Sequence, residues 1–208
     1  MGGVTLLARQ PFVAVTVAEE PRIASAVVSG VRRTLIDLGQ WPRVRARAIA
    51  RMPKVRSWID SALDGSWCPV AYHIVILESV AAEYGDDGIA AFGRARLLDN
   101  MSGGVLSPIL RSWMRSYGGA PGHLLRVSPH VWRAVTRDLG RMVVVEMGER
   151  ATRFRIEEMP EEARRCVAWH RFLEGYGVAL LEAGSYPGAH VEISLGETPR
   201  QLEGSVRW

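Results

Sequence analysis

Lysine is almost absent from this chain of 208 residues: Lys54 stands alone, so 25 of the 26 basic residues are arginine. That ratio reports a GC-rich genome rather than a function. Cysteine is scarce as well. Cys68 and Cys166 are too few for a disulfide framework, and neither lies in a CxxC or near a histidine at ligand spacing. Both are expected to be reduced, buried, small hydrophobes. No apolar run approaches the roughly 18 residues that a membrane-spanning helix needs. The first segment, Met1–Glu20, has only a short apolar stretch interrupted by Pro11, followed by acids, and so lacks the apolar core and cleavage site of a secretory signal. A cytoplasmic location is expected.

Catalytic signatures are missing too. Ser102-Gly103-Gly104 is the nearest approach to a phosphate loop, but it offers two glycines, no following lysine and no preceding strand. The five histidines, His73, His123, His130, His170 and His190, never pair at i, i+4, and HExxH does not occur, so no metal site is expected. Gly184-Ser185-Tyr186-Pro187-Gly188 imitates a nucleophile elbow but follows a helix where that motif needs a strand. The carboxylate pairs Glu157-Glu158 and Glu161-Glu162 flank a helix start, where acids suit the helix dipole. With no nucleophile–base pair to name, the expectation is a protein that is not an enzyme and that carries no cofactor.

What the chain does have is a patterned α+β sequence. Its hydrophobic content of 48% with 23% charged residues is ordinary for a soluble globular protein. Neither repeats nor a low-complexity linker divide it. We expect an N-terminal extension over residues 1–28, containing a short strand at Phe12–Val17 and the start of a helix, and one domain over 29–208. Helices are expected from Pro21 to Gly39, over Arg43–Arg51, over Val55–Leu63 with a stop at Asp64-Gly65, and over Pro69–Glu83. The last is apolar far round its circumference and should be central. A break at Gly85 precedes Asp87–Leu98. Ser107-Pro108 and Ser128-Pro129 both read as capped helix starts, the second helix running to Leu139. The C-terminal third reads as a hairpin (Arg141–Val145, Ala151–Glu157), one long helix (Pro160–Ala183) and two closing strands (His190–Leu195, Leu202–Trp208). Gly175 and Gly177 weaken that helix, which implies a close backbone approach there. The architecture expected is a helical layer packed on a small antiparallel sheet.

Two features bear on function. Trp113, Trp132 and Trp169, with Phe172 and Tyr176, lie on helices that could face one interior, as a filled core or as the wall of an apolar cavity. In the second case His73 or His130 would be its polar handle. Residues 32–56 hold eight positive charges against one acid, Asp37, while residues 142–208 hold eleven acids against eight arginines. Arg43, Arg45, Arg47 and Arg51 are therefore the candidate interaction surface. A solvated arginine face ranks first, an acidic protein or anionic surface second, and nucleic acid last, because no recognition helix is evident.

The residue order itself resembles a known group. Trp67-x-Pro69, Tyr84-Gly85, Phe92-Gly93-Arg94, Tyr117-Gly118-Gly119-Ala120-Pro121, Leu124-Leu125 with Trp132-Arg133, Ile156-Glu157-Glu158-Met159-Pro160, Phe172-Leu173-Glu174-Gly175 and Val206-Arg207-Trp208 follow one another over roughly residues 30–208. This series resembles a myxobacterial paralogous family of unknown function. It is similar, more distantly, to the superfamily of heme-nitric-oxide-binding, 4-vinyl-reductase-like and TRAPP-subunit domains. The resemblance implies a helical layer on a small sheet enclosing a ligand cavity, in domains that sense small molecules or act as adaptors, often as homodimers. In the heme-binding branch a proximal histidine precedes the hairpin, where His130 or Trp132 falls here. Its Tyr-x-Ser-x-Arg motif would fall on Glu146-Met147-Gly148-Glu149-Arg150, and only Arg150 matches. Heme is therefore not expected. Two readings follow: a regulatory domain binding a small hydrophobic molecule, or an adaptor with a solid core whose basic surface meets a protein partner.

Overall fold

The computed structural model describes residues 20–61, 66–103 and 107–208. The strand expected at Phe12–Val17 and the stop at Asp64-Gly65 lie outside them. In chain order the elements are β1 (Arg22–Ala24), α1 (Ser25–Asp37), α2 (Trp41–Arg51), α3 (Val55–Ser61), β2 (Trp67–Pro69), α4 (Val70–Ser102), α5 (Ser107–Tyr117), α6 (Pro121–Val135) and β3 (Thr136–Arg137). The C-terminal part adds β4 (Arg141–Met147), β5 (Ala151–Glu157), α7 (Glu161–Arg164), α8 (Val167–Ala183), β6 (His190–Leu195) and β7 (Leu202–Arg207). The fold is α+β, with helices over small antiparallel sheets.

The C-terminal strands form one antiparallel sheet in the order β4-β5-β7-β6. Alternation decides which side chains face inward. On β5, Thr152, Phe154 and Ile156 are buried between exposed or half-buried neighbours, and on β7 the same holds for Leu202, Gly204 and Val206. The register opposes Thr152 to Val206 and Phe154 to Gly204, so these positions share one apolar face. A bulge between Val144 and Glu146 leaves Val145 exposed on β4. A second sheet, in the order β2-β1-β3, joins three short strands distant in sequence, none of which its few residues announce. Its outer arm is closed by the Arg137 guanidinium 4.2 Å over the Trp67 ring. A boundary after residue 28 would cut α1, whose Val28 and Val31 are both buried in the main core.

The apolar stretch after Pro69 is the central helix, as its composition requires. The expected break is present as a kink: Gly85 takes φ 71° and ψ −173°, and the helix resumes beyond it to Ser102. The positive φ favours glycine at this position. The second half of α4 then crosses α8 closely. A Cβ on Gly93 would stand 2.2 Å from the Phe172 carbonyl oxygen, and one on Gly175 would stand 2.1 Å from that of Ala90. The close approach expected at Gly175 is thus to α4.

Two further local expectations are corrected. Ser128-Pro129 does not start a helix; Pro129 lies inside α6, which begins at Pro121 and ends at Val135, and Thr136–Arg137 is strand. Pro129 has no N–H to give the Leu125 carbonyl, while Ser128 Oγ donates to the Leu124 carbonyl at 3.0 Å. The expected single helix from Pro160 to Ala183 is two, because Cys166 is extended (φ −75°, ψ 92°). The carbonyl of Arg164 accepts instead from His170 Nε2 at 2.9 Å across the break, which makes His170 the Nε2–H tautomer. No helix among the described residues is long and apolar enough to cross a membrane.

Candidate functional site

A cavity of about 270 Å³ lies between α4, α5, α6, α8 and the four-stranded sheet. Helical spacing builds most of its wall. On α8, Trp169, Phe172, Leu173, Tyr176 and Leu180 fall on one stripe, and on α6 the same periodicity brings Leu124, Ser128, Val131, Trp132 and Val135 inward. The sheet supplies the floor, with Phe154, Ile156, Val191, Ile193 and Val206 from alternate positions. Ile109 on α5 both lines the cavity and is 38% exposed, which marks where the cavity reaches the surface.

The polar groups of the wall sit mainly on α4. His73 is buried, its ring edge-on to Trp169 (centroids 5.5 Å apart) and Phe172 (6.2 Å), and its Nδ1 has no hydrogen-bond partner among the described residues. Burial, aided by the positive charge of Arg96, pushes its pKa down to about 4, so the imidazole is neutral at pH 7. Arg96 is only 2% exposed. Its Nη1 donates to Asp99 Oδ2 at 2.5 Å, and the same carboxylate accepts two bonds from Arg33. Burial draws the Arg96 pKa below the arginine range, with Asp99 opposing that shift. One turn on, Asn100 Nδ2 donates to the Tyr176 hydroxyl at 3.0 Å, while Asn100 Oδ1 is buried without a partner among the described residues. Burial raises the Tyr176 pKa, so the phenol stays protonated.

Of the aromatic residues expected at a site, the fold brings Trp132, Trp169, Phe172 and Tyr176 together with His73 around this cavity. Trp113 and His130 stand outside it. Trp113 is buried and donates through Nε1 to the Ala120 carbonyl at 3.0 Å, which ties α5 to the start of α6. His130 is exposed on the outer side of α6, bonded to Arg133. Trp132 also has a structural bond, from Nε1 to the Gly140 carbonyl at 3.1 Å. Arg96 and Asn100 were not expected. The available signal was spacing: Ile89, Phe92, Gly93, Arg96 and Asn100 recur on one helical face, which places two polar residues among apolar ones.

The candidate basic surface is largely paired within the chain. Arg45 meets Asp60 at 2.9 Å, Arg47 meets Glu83 at 2.5 Å, and Arg51 meets Glu78 at 2.6 Å; Arg43 is exposed. The stretch from Glu146 to Arg150 closes the β4–β5 hairpin. There Met147, Gly148 and Glu149 face a shallow groove with Tyr186 and Trp208, and Arg150 is exposed. Among the described residues no group of three or more His, Cys, Asp or Glu side chains could hold a metal ion.

No protein-family model matches the chain, and no curated protein gives a significant match. Solved structures do. A doubly substituted Tt H-NOX matches with a TM-score of 0.58 and 12% identity, over 89% of this chain and 95% of that one. An oxygen-binding H-NOX domain related to soluble guanylate cyclases, in its oxygen complex, matches with a TM-score of 0.55 and 13% identity, over 89% and 94%. The Fe(II) unliganded H-NOX protein from K. algicida matches with a TM-score of 0.53 and 13% identity, over 89% and 96%. At such identities the likeness is one of fold, and the chain is in that sense distantly similar to H-NOX domains.

Proposed function

We propose that this chain is a non-catalytic, sensor-type regulatory domain that binds a small, mainly apolar molecule in the cavity between α4, α5, α6, α8 and the sheet. The observation that carries this reading is the cavity itself: about 270 Å³ of space walled by aromatic and aliphatic side chains. An engineered apolar cavity of about 150 Å³ takes up benzene, so this space suits a ligand of about 11 heavy atoms. The serine and threonine hydroxyls at the wall are engaged with backbone, Ser128 with Leu124 and Thr136 with Trp132, which supports a binding rather than a catalytic role.

Heme, which the H-NOX likeness implies, does not fit these residues. A heme has roughly 40 heavy atoms, several times what the space accepts. Helix α6 presents Leu124, Leu125, Ser128, Val131, Trp132 and Val135 to the cavity and no imidazole; His130 points outward and His123 stacks on Tyr117. Arg150, the one matching residue of the propionate motif, is exposed on the hairpin outside the cavity. The ligand of this reading is therefore smaller than a porphyrin and is not held by iron.

The test is direct. The protein purified from its own host is weighed by native mass spectrometry, and the apo form is titrated with small hydrophobic compounds while Trp fluorescence and melting are followed. Trp132 and Trp169 stand in the wall, so binding should change their emission and raise the Tm. A clean apo mass together with no response in either signal across the series would overturn the reading in favour of an adaptor.

A further inference from the structure

Resting on the cavity reading above, we infer that the α4 wall of the cavity is a subsite for one uncharged hydroxyl, and that the ligand is a small apolar alcohol. Its hydrocarbon body fills the space between α6, α8 and the sheet, and its hydroxyl meets Asn100, Tyr176 and His73.

These three side chains line the cavity, and their hydrogen bonding is incomplete. Asn100 is 3% exposed and His73 1%. The Asn100 amide donates to the Tyr176 hydroxyl at 3.0 Å, which leaves its Oδ1 buried with no partner among the described residues. His73 Nδ1 is likewise unpartnered among them. Rings hold the three in one group: His73 is edge-on to Phe172, whose centroid is 6.2 Å from that of Tyr176. Leaving a buried polar atom unpaired costs more than an ordinary hydrogen bond contributes, so a ligand that completes the set is favoured over one that does not. In the unliganded protein, water is what completes such polar sets. Displacing it with a hydroxyl restores the bonds, whereas displacing it with a methylene forfeits them.

The inventory of donors and acceptors selects the hydroxyl. As placed, Asn100 Oδ1 needs a donor and the Tyr176 phenol has its own proton to give; with the amide turned over, the phenol donates to Oδ1 and the NH2 needs an acceptor. A hydroxyl donates and accepts at one atom, so it completes either arrangement. The neutral His73 ring can be met in the same two ways, since one nitrogen donates and the other accepts. The charged group in this wall is already matched. Arg96 is bound to Asp99 at 2.5 Å and is the largest fully buried side chain among the described residues. A Cβ on Gly30 of α1 would come within 1.9 Å of its Nη2, so the guanidinium is fixed as packing between α1 and α4. An ionised head would be stripped of water beside an ion pair that is already made, which disfavours it. The Ser128 and Thr136 hydroxyls are spent on backbone carbonyls, so the head goes to the α4 wall and the body takes the apolar faces.

Decan-1-ol and its isomer 1-methoxynonane discriminate on the unaltered protein. Each has about 11 heavy atoms, the size the cavity suggests, and one oxygen, but only the alcohol can donate. Titration near neutral pH, followed by calorimetry and Trp fluorescence, should show the alcohol binding about fivefold or more tightly. Nonanoate, of the same size with an ionised head, should bind more weakly than the alcohol. Tyr176→Phe should narrow the preference for the alcohol over the ether, and Asn100→Leu should erase it. Because both variants alter the wall, their fold is checked by melting, and the wild-type pair of affinities is the deciding measurement. Equal affinities, or tighter binding of the ether or of nonanoate, would overturn the hydroxyl subsite while leaving the cavity reading in place. If none of the three binds, the hydroxyl subsite is overturned and butylbenzene decides the rest: a raised Tm keeps the cavity reading, and no response to it or to other neutral apolar compounds overturns that reading too.

Discussion

The two sides of α4 use the same kind of apolar packing to opposite ends. Toward α1, α2 and α3, its first half packs Ile76, Leu77 and Val80 against Val31, Leu35, Val44, Ala48 and Val55, all at 0–1% exposure, and the space is filled. Toward α6, the sheet and α8, equally apolar side chains leave about 270 Å³ open. The difference lies in shape. The first region packs short aliphatics from helices in succession. The second holds its elements apart with large rings, Trp132 bound to the Gly140 carbonyl and Trp169 and Phe172 edge-on to His73. A void forfeits contacts on one side of every atom that lines it, and that loss is tolerated where a ligand can supply them.

Truncating equivalent leucines breaks this comparison most directly. Leu77→Ala, in the filled region, should cost about 2–5 kcal/mol in chemical denaturation. Leu124→Ala, in a cavity wall that already lacks neighbours on one side, should cost only about 1–2 kcal/mol. Equal losses would mean that both regions are solid in solution.

Acid should act on the hollow side. The His73 pKa falls from 6.5 to about 4 in the folded state, so between those values the unfolded chain binds the extra proton. The stability that neutral His73 contributes is complete above pH 6.5, is lost progressively as pH falls toward 4, and changes no further below that. At 1.36 kcal/mol for each unit, the loss is about 3 kcal/mol. His170, also lowered by burial, adds a slope of the same sign. Subtracting the pH profile of a His73→Asn variant therefore isolates the His73 part. Superimposable profiles would show that His73 is solvated in the native state and that its end of the cavity is open.

The fold was more legible than the site because strand and helix periodicities are local. β5 and β6 begin and end where alternation places them, and Gly85 breaks α4 where expected. Pro129 misled because a Ser-Pro pair is a start signal only when the preceding turn is not already helical, and Pro121 had opened α6 earlier. The break at Cys166 has no local sign: it depends on His170 reaching the Arg164 carbonyl. β1, β2 and β3 are too short to show a period and exist through pairing between positions far apart in sequence, Ala24 with Trp67 and Arg22 with Arg137. At the site, a Trp-lined cavity and a Trp-filled core produce the same stripe, so Trp113 could not be separated from Trp169 by spacing. Arg96 escaped notice because a helical arginine defaults to the surface, and only Gly30, far away in sequence, reveals its burial.

The α4–α8 crossing links the two regions, and Gly93→Ala sharpens the comparison there. The added methyl meets the Phe172 carbonyl at 2.2 Å, which is backbone and must move. Overpacking of this kind should cost about 1–3 kcal/mol. It should also displace Phe172 and Tyr176, so ligand affinity should change along with the Tm. A lower Tm with unchanged affinity would show that the wall is positioned from α6 and the sheet rather than by this crossing.

The smallest effects belong to the arginines of α2. Arg45, Arg47 and Arg51 pair with Asp60, Glu83 and Glu78, but each arginine is at least 38% exposed, and such pairs contribute about 0.2–1 kcal/mol. Alanine at any one of them should shift stability by no more than that, with the shift fading at high salt. The informative variant is charge reversal at Arg43, Arg45 and Arg47 together. It sets like charges against Asp60 and Glu83 on the filled side, remote in function from the cavity if the two regions act separately. Under the sensor reading, cavity affinity should be unchanged in this variant. If instead capture of an acidic protein partner were lost while ligand affinity held, α2 would be a second, output surface on the solid half. If ligand affinity fell with it, the filled region would be coupled to the hollow one through α4, and the two could no longer be treated as independent parts of the domain.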